Sequence, residues 1–199
     1  VYKRQISRNI KALKDYSFKY PRQVDLANED SIDKFSSEVK NDGVKVDALI
    51  NNAGAFLNKP FEKISKKEFE YIFQVNVFGL SSITRKVLPI IDSKGHIVNI
   101  TSMGGINGAA KFTGLSAYSS SKGAVNILTE LLAEEYKEKG PSFNALAFGA
   151  VQTEMLEEAF PGLKAPISAK EIADFILDFS LEGQKYFNGK IIPVSSTTP

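Results

Sequence analysis

Cysteine is absent from the 199 residues, which excludes disulfides and thiolate metal sites, and the single histidine, His96, cannot build a histidine cluster. No apolar run approaches the roughly 18 residues of a membrane span, so no membrane partner is indicated. The N-terminus lacks a charged region followed by an apolar one and a cleavage site, and a cytoplasmic location is expected from that. Neither sign of charge dominates: the net charge is +2 and the basic residues are scattered, which leaves no electrostatic footprint for nucleic acid. Internal repeats, low-complexity tracts and linkers are missing as well. What remains, 43% hydrophobic and 24% charged residues, is ordinary for one globular domain with a sizeable core.

The patterning alternates between two periods. Val1 to Gln5 places two cations where the pattern that follows suggests a buried strand, so this segment is set aside as a scar and the domain is taken as 6–199. Ile6-Ser7-Arg8-Asn9 reads as the end of a strand, Ile10 to Asp15 as a short helix and Phe18 to Asp25 as a second strand. Ile32, Phe35, Ser36 and Val39 have helical spacing within Ser31 to Lys40, and Val44 to Ile50 is a third, more apolar strand. Ser65-Lys66-Lys67-Glu68 has the form of a capping box and predicts one long helix to about Ile91, with Asn76 in its apolar stripe. Gly95 to Ile100 is the next strand, and His96 at its start reads as a surface or edge residue. Met103 to Leu115 is a loop leading to a helix over Ser116 to Leu132, after which Phe143 to Phe148 forms another strand. Glu154 to Pro166 suggests a mobile flap, Ser168-Ala169-Lys170-Glu171 a second capping box, and Lys190 to Val194 a last strand. Strands alternating with helices imply an α/β fold with a parallel sheet.

Tyr118 and Lys122 lie one helical turn apart on the stripe that continues through Val125, Leu128, Thr129 and Leu132, so a phenol and an ammonium are directed inward together. The spacing alone leaves open a snorkelling lysine beside a packed tyrosine, and Tyr186 and Lys190 repeat it across the Asn188-Gly189 turn signal. Context separates the two pairs. Asn51-Asn52-Ala53-Gly54, Asn76, Ser102 and the Tyr118 helix fall at successive strand ends or adjoining helices, and strand ends of an open parallel sheet converge on one ligand crevice.

Asn-Asn-Ala-Gly, Val-Asn-Val-Phe-Gly, Asn-Ile-Thr-Ser and Tyr-x-x-x-Lys in this order resemble the short-chain dehydrogenases/reductases, over essentially Ile6 to Val194. The resemblance implies a Rossmann-like doubly wound parallel sheet with helices on both faces, and reduction of a ketone to an alcohol. Tyr118 would be the general acid, Ser102 would orient the carbonyl, Lys122 would favour the phenolate by charge and hold ribose hydroxyls, and Asn76 would anchor a water linking Lys122 to solvent. Cofactor contacts carry over to Asp25 and Leu26 at the adenine, to Asn51, Ala53 and Gly54 beside the cofactor, and to Gly149, Val151 and Thr153 at the carboxamide, with Phe148 in place of the family's proline. Ser7 and Arg8 occupy the position that discriminates the ribose 2′ substituent, with no acid there, so NADP(H) is expected over NAD(H).

The family's first strand, Gly-rich phosphate-binding turn and first helix have no counterpart before Ser7, a shortfall of about 25 to 30 residues centred on a middle strand. The chain is accordingly expected to bind the dinucleotide poorly and to be inactive by itself. The resemblance further implies a small carbonyl or alcohol substrate, of the 3-oxoacyl thioester kind, and a homo-oligomer, tetramer or dimer. A non-catalytic nucleotide-sensing or interaction protein of the same fold is the alternative, and an epimerase or dehydratase of the extended relatives is disfavoured by Asn-Asn-Ala-Gly and the short C-terminal portion.

Overall fold

Among the described residues the strands form two parallel sheets. A computed structural model describes residues 3–11 and 20–196. Strands β1 (Arg4–Ser7) and β2 (Tyr20–Gln23) pair with each other, and β3 (Val46–Asn51), β4 (Ile91–Ser102), β5 (Ser142–Phe148) and β6 (Lys190–Val194) form a four-stranded sheet in that order. The break falls between β1 and β3, where the resemblance puts a central strand. Among the described residues, each of these two strands has one side without a strand partner. The predicted helix over Ile10 to Asp15 is helical at Ile10 and Lys11, while its residues 12–15, and Phe18 and Lys19 of the second predicted strand, lie outside the described residues.

Capping chemistry places the helices as predicted. Helix α1 (Glu29–Asn41) starts at Asn28, whose side chain accepts from Ser31 N, and carries Glu29 and Asp30 where the helix dipole favours acids. Its buried residues are Ile32, Phe35, Ser36 and Val39, the four expected from spacing. Both capping boxes form, Ser65 with Glu68 before α2 (Lys66–Phe73) and Ser168 with Glu171 before a later helix over 169–182.

The predicted single helix to Ile91 is interrupted. After α2 the chain makes a π turn over Gln74–Gly79, resumes as α3 (Leu80–Val87) and tightens through a 3-10 turn over Leu88–Ile90. Strand β4 therefore starts at Ile91, four residues ahead of the expected Gly95. Helix α4 (Ser116–Glu135), the short α5 (Glu154–Ala159) and α6 (Ala169–Glu182) complete the set. No helix among the described residues is long and apolar enough to cross a membrane.

Helices cover both faces of the four-stranded sheet. On one side Ile97 and Phe143 pack against Leu132, Ala133 and Tyr136 of α4 and its end, and on the other Val98, Ile100 and Leu146 pack against Ile176 and Phe179 of α6. β4 and β5 are buried along most of their length, as parallel strands with two covered faces must be. His96 belongs to this interior and is fully buried, contrary to its reading as a surface residue. Its Nδ1 faces Ser180 O at 3.3 Å and its Nε2 faces Asn144 Nδ2 at 2.9 Å. Asn144 also donates to Phe187 O and accepts from Lys190 N, which fixes its orientation and makes the imidazole a neutral acceptor at Nε2.

Candidate active site

Four side chains meet at the carboxyl ends of β3 and β4 because the elements that carry them are tied to one another. The π turn is what turns Asn76 inward, leaving it 1% exposed between the loop after β3 and α4. Its Oδ1 accepts from Ala55 N at 2.7 Å, and its Nδ2 donates to Ala55 O at 3.0 Å and to Ser121 Oγ at 2.9 Å. Ser121 in turn donates to Tyr118 O at 2.7 Å. Both amide N–H groups of Asn76 are thus committed to protein partners. What the side chain does here is lock the loop after Gly54 to the helix that bears the tyrosine.

Tyr118 sits under Phe56, with ring centroids 5.0 Å apart in an edge-on arrangement, and its hydroxyl faces the Ser102 hydroxyl. Ser102 lies at the end of β4, where its Oγ also accepts from Gly104 N at 3.2 Å. Lys122 Nζ lies 5.7 Å from the centre of the Tyr118 ring and donates to Ile100 O at 2.8 Å. A Cβ at Gly54 would stand 3.5 Å from that Nζ and 3.3 Å from Asn76 Oδ1, so the backbone of this turn runs close beside both groups.

Burial shifts both titrating groups of the site. Burial pushes the Tyr118 phenol up to about 12, with the Ser102 hydrogen bond only partly offsetting it. Burial likewise pulls the Lys122 ammonium down to about 8. At neutral pH the site holds a protonated phenol above a protonated amine, an arrangement ready to give a proton.

The remaining predicted residues divide into two groups. Asp25, Leu26, Ala53 and Gly54 border the same strand ends, with Asp25 Oδ1 turned back onto Ala27 N and Leu26 packed on Gly79, where a Cβ would come within 2.3 Å of Leu26 O. Gly149 donates its N–H to Val194 O, Val151 is buried, and Thr153 caps α5 through Leu156 N. Asn51 differs, because its side chain points into the core: Nδ2 donates to Thr84 Oγ1 and to Asn99 Oδ1. Ser7 Oγ accepts from Asn9 N at the end of β1, and the Arg8 guanidinium donates to the Tyr71 hydroxyl of α2. Tyr186 is 79% exposed and Gly189 adopts φ +70°, so the second tyrosine–lysine pair straddles a turn as read. Phe56, Ser121 and Tyr71 were not singled out from the sequence, and nothing in its periodicity marks them.

The donor set fits a dinucleotide in part. Lys122 is 5% exposed and one protein acceptor takes one of its three N–H groups, which suits a ribose diol, and the close backbone at Gly54 suits a flat group lying against it. The first glycine of the sequence is Gly43, so no Gly-rich turn accompanies β1.

The chain is similar to known proteins in sequence and in fold. Residues 3–164 match the family model described as short chain dehydrogenase. L-2,3-butanediol dehydrogenase of Corynebacterium glutamicum is 36% identical over 162 residues, spanning 79% of this chain and 59% of that protein. A 3-oxoacyl-[acyl-carrier-protein] reductase of Aquifex aeolicus is 31% identical over 185 residues, 87% of this chain and 73% of that one. A 4-hydroxyisoleucine dehydrogenase mutant solved with NADH and succinate superposes with a TM-score of 0.85 at 25% identity, covering 97% of this chain and 86% of its own. The chain thus spans about three fifths of the length of the butanediol enzyme. With a half-buried tyrosine over a buried lysine and a family match across most of its residues, this chain belongs to the short-chain dehydrogenases.

Proposed function

We propose that the protein is an NADP(H)-preferring reductase that converts a ketone to an alcohol, of the 3-oxoacyl thioester kind or a similar small oxo compound. The observation that carries this reading is Tyr118 standing over the buried Lys122, Nζ 5.7 Å from its ring centre, with Ser102 at the neighbouring end of β4. A bound nicotinamide supplies the hydride. Ser102 and Tyr118 then act on the same carbonyl oxygen: Ser102 donates a hydrogen bond that polarises it, and Tyr118 transfers its proton as negative charge develops there. Lys122, charged below about 8, stabilises the phenolate left behind and holds the ribose hydroxyls with its remaining N–H groups.

Arg8 with no acid beside it supports a 2′-phosphate, and the NADH found with the hydroxyisoleucine dehydrogenase supports a nicotinamide dinucleotide in general. Ile127 and Leu131 on α4 are 58% and 62% exposed, and Phe78 of the π turn 58%, which supports a homo-oligomer paired through these helices. Among the described residues no phosphate cradle stands beside β1, which supports weak dinucleotide binding and slow or absent turnover by this stretch of chain. Isothermal titration with NADPH tests this, and a micromolar dissociation constant would refute it. For the chemistry, ketone-dependent loss of NADPH absorbance is followed in the chain joined to its family's missing strand, turn and helix. Equal rates for the parent and Tyr118→Phe would overturn the assignment and leave the nucleotide-sensing alternative.

A further inference from the structure

Three loops meet beside Phe56, the residue that packs on Tyr118, and one side chain joins them. Asn58 lies on the loop after β3, two residues beyond the Phe56 that packs on Tyr118. Its Nδ2 donates to the carbonyl of Ala159, the last residue of α5, at 2.9 Å. The other side of its amide rests on Gly114, in the loop that leads into α4. A Cβ there would stand 2.0 Å from Asn58 Oδ1, and Gly114 adopts φ +85°, so both space and conformation demand glycine at that point. The next residue, Lys59, donates its backbone N–H to Gly114 O at 2.9 Å. Phe112 and Phe160 close the same junction edge to face, 5.9 Å apart.

The 154–163 segment is otherwise tied only to its own neck. Gln152 donates its N–H to Ile167 O and accepts at Oε1 from Ala165 N, and Glu157 accepts from Gly162 N. Among the described residues, the Asn58 bond is the one hydrogen bond linking 154–163 to the 55–60 or 103–115 segments. The segment is thus a flap with a fixed base and a single polar fastening at its tip.

The chemistry of the three loops is one-sided. The flap carries Glu154, Glu157 and Glu158 and no cation up to Leu163. The cations of the facing loops are engaged elsewhere: Lys59 Nζ contacts both oxygens of Glu68 at 2.8 and 2.9 Å, and Lys111 Nζ donates to Ile106 O and Ala109 O. Phe56, Phe112, Phe160 and Leu156 supply the apolar surface. These loops offer a small anion no free donor cation, while they offer an apolar ketone the aromatic surface of Phe56, Phe112 and Phe160.

We propose that Asn58 is a latch that fastens the 154–163 flap over Tyr118, and that the roof so closed selects uncharged, apolar carbonyl compounds over carboxylates. This rests on the reading of Tyr118 as the acid of a carbonyl reductase, and it narrows the substrate class of that site.

Hydrogen–deuterium exchange tests the latch without turnover. Amides of 155–163 in the parent chain exchange at least tenfold more slowly than in Asn58→Ala and in Asn58→Asp, the latter keeping the volume but losing the donor. Equal exchange in all three proteins, each shown folded by circular dichroism, overturns the latch. Selectivity is read by saturation-transfer NMR with cyclohexanone and 4-oxocyclohexanecarboxylate at equal millimolar concentrations. Several-fold stronger transfer to cyclohexanone is the expected result; equal transfer, stronger transfer to the carboxylate, or none to either overturns the selectivity. An inactive Tyr118 with a protected flap would count against the reductase reading and leave the latch standing.

Discussion

Asn51 and Asn99 stand opposite one another on β3 and β4, and the Nδ2 of the first donates to the Oδ1 of the second at 2.8 Å. Thr84 of α3 accepts the second Asn51 bond, Asn99 donates to Thr129 of α4 at 2.8 Å, and Thr129 donates onward to Val125 O. The two helices that flank the site are thereby pinned to adjacent strands through buried polar groups. Asn99→Ala leaves an Asn51 N–H without its acceptor in the core and is expected to cost about 2 to 4 kcal/mol in urea unfolding. Asn51→Ala costs a similar amount, and the double variant less than the two together, because the stranded partner is then gone. Additive losses would show that the bond couples nothing.

Lys122 is a stability defect at neutral pH. Its ammonium is held down to about 8 by burial, against 10.5 when free, so the folded protein resists a proton that the unfolded chain keeps. The cost is in full force below about 8 and is relieved as the pH rises toward 10.5. Lys122→Met is expected to be more stable than the parent by about 1 to 3 kcal/mol at pH 7, and to lose that advantage progressively above pH 8. A variant less stable at pH 7 would contradict this.

His96 gives an acid limb. Desolvation lowers it from 6.5 to about 4, with the backbone at Ser180 and Phe179 opposing only weakly. Between these values the unfolded chain binds the proton that the folded one refuses, so stability falls as the pH drops from 6.5 to 4 and levels off below. The expected loss from this group is about 3 kcal/mol. His96→Gln flattens this part of a thermal-denaturation series, and an unchanged slope would assign the loss to other groups.

Tyr71 accepts from Arg8 and keeps its own hydroxyl hydrogen to give. If the end of β1 receives a 2′-phosphate, Tyr71→Phe is expected to reduce the preference for adenosine 2′-phosphate over adenosine by roughly fivefold, about 1 kcal/mol, and Arg8→Ala by more. NMR titration at millimolar ligand reads this. A preference unmoved by Arg8→Ala would remove the 2′-phosphate reading.

Much of this was legible where a signal is local. β6 over Lys190–Val194, the inward face of α1 and both capping boxes follow from periodicity and short-range hydrogen bonding. Patterning locates Ser102 at a strand end and Tyr118 with Lys122 on one helix, whereas their roles were read from the family resemblance. His96 was misread because a polar residue at a strand start looks exposed; its partners Asn144 and Ser180 are 48 and 84 positions away. The π turn was invisible because one extra residue per turn leaves an apolar stripe almost unchanged over two turns. Asn58, Phe56 and Tyr71 act through partners 101, 62 and 63 positions distant, separations that no window spans.

The two open strand sides bear on handling the protein. Val46, Ala48, Leu49 and Ile50 of β3 are only half-buried, whereas most of β4 and β5 is sealed, and neither proline nor lysine interrupts the β3 row. Unpaired N–H and C=O groups along such a row template further strands. Concentrated solutions of this chain should therefore thicken into ordered, thioflavin-binding assemblies, and a lysine at position 48 or 50 should delay them.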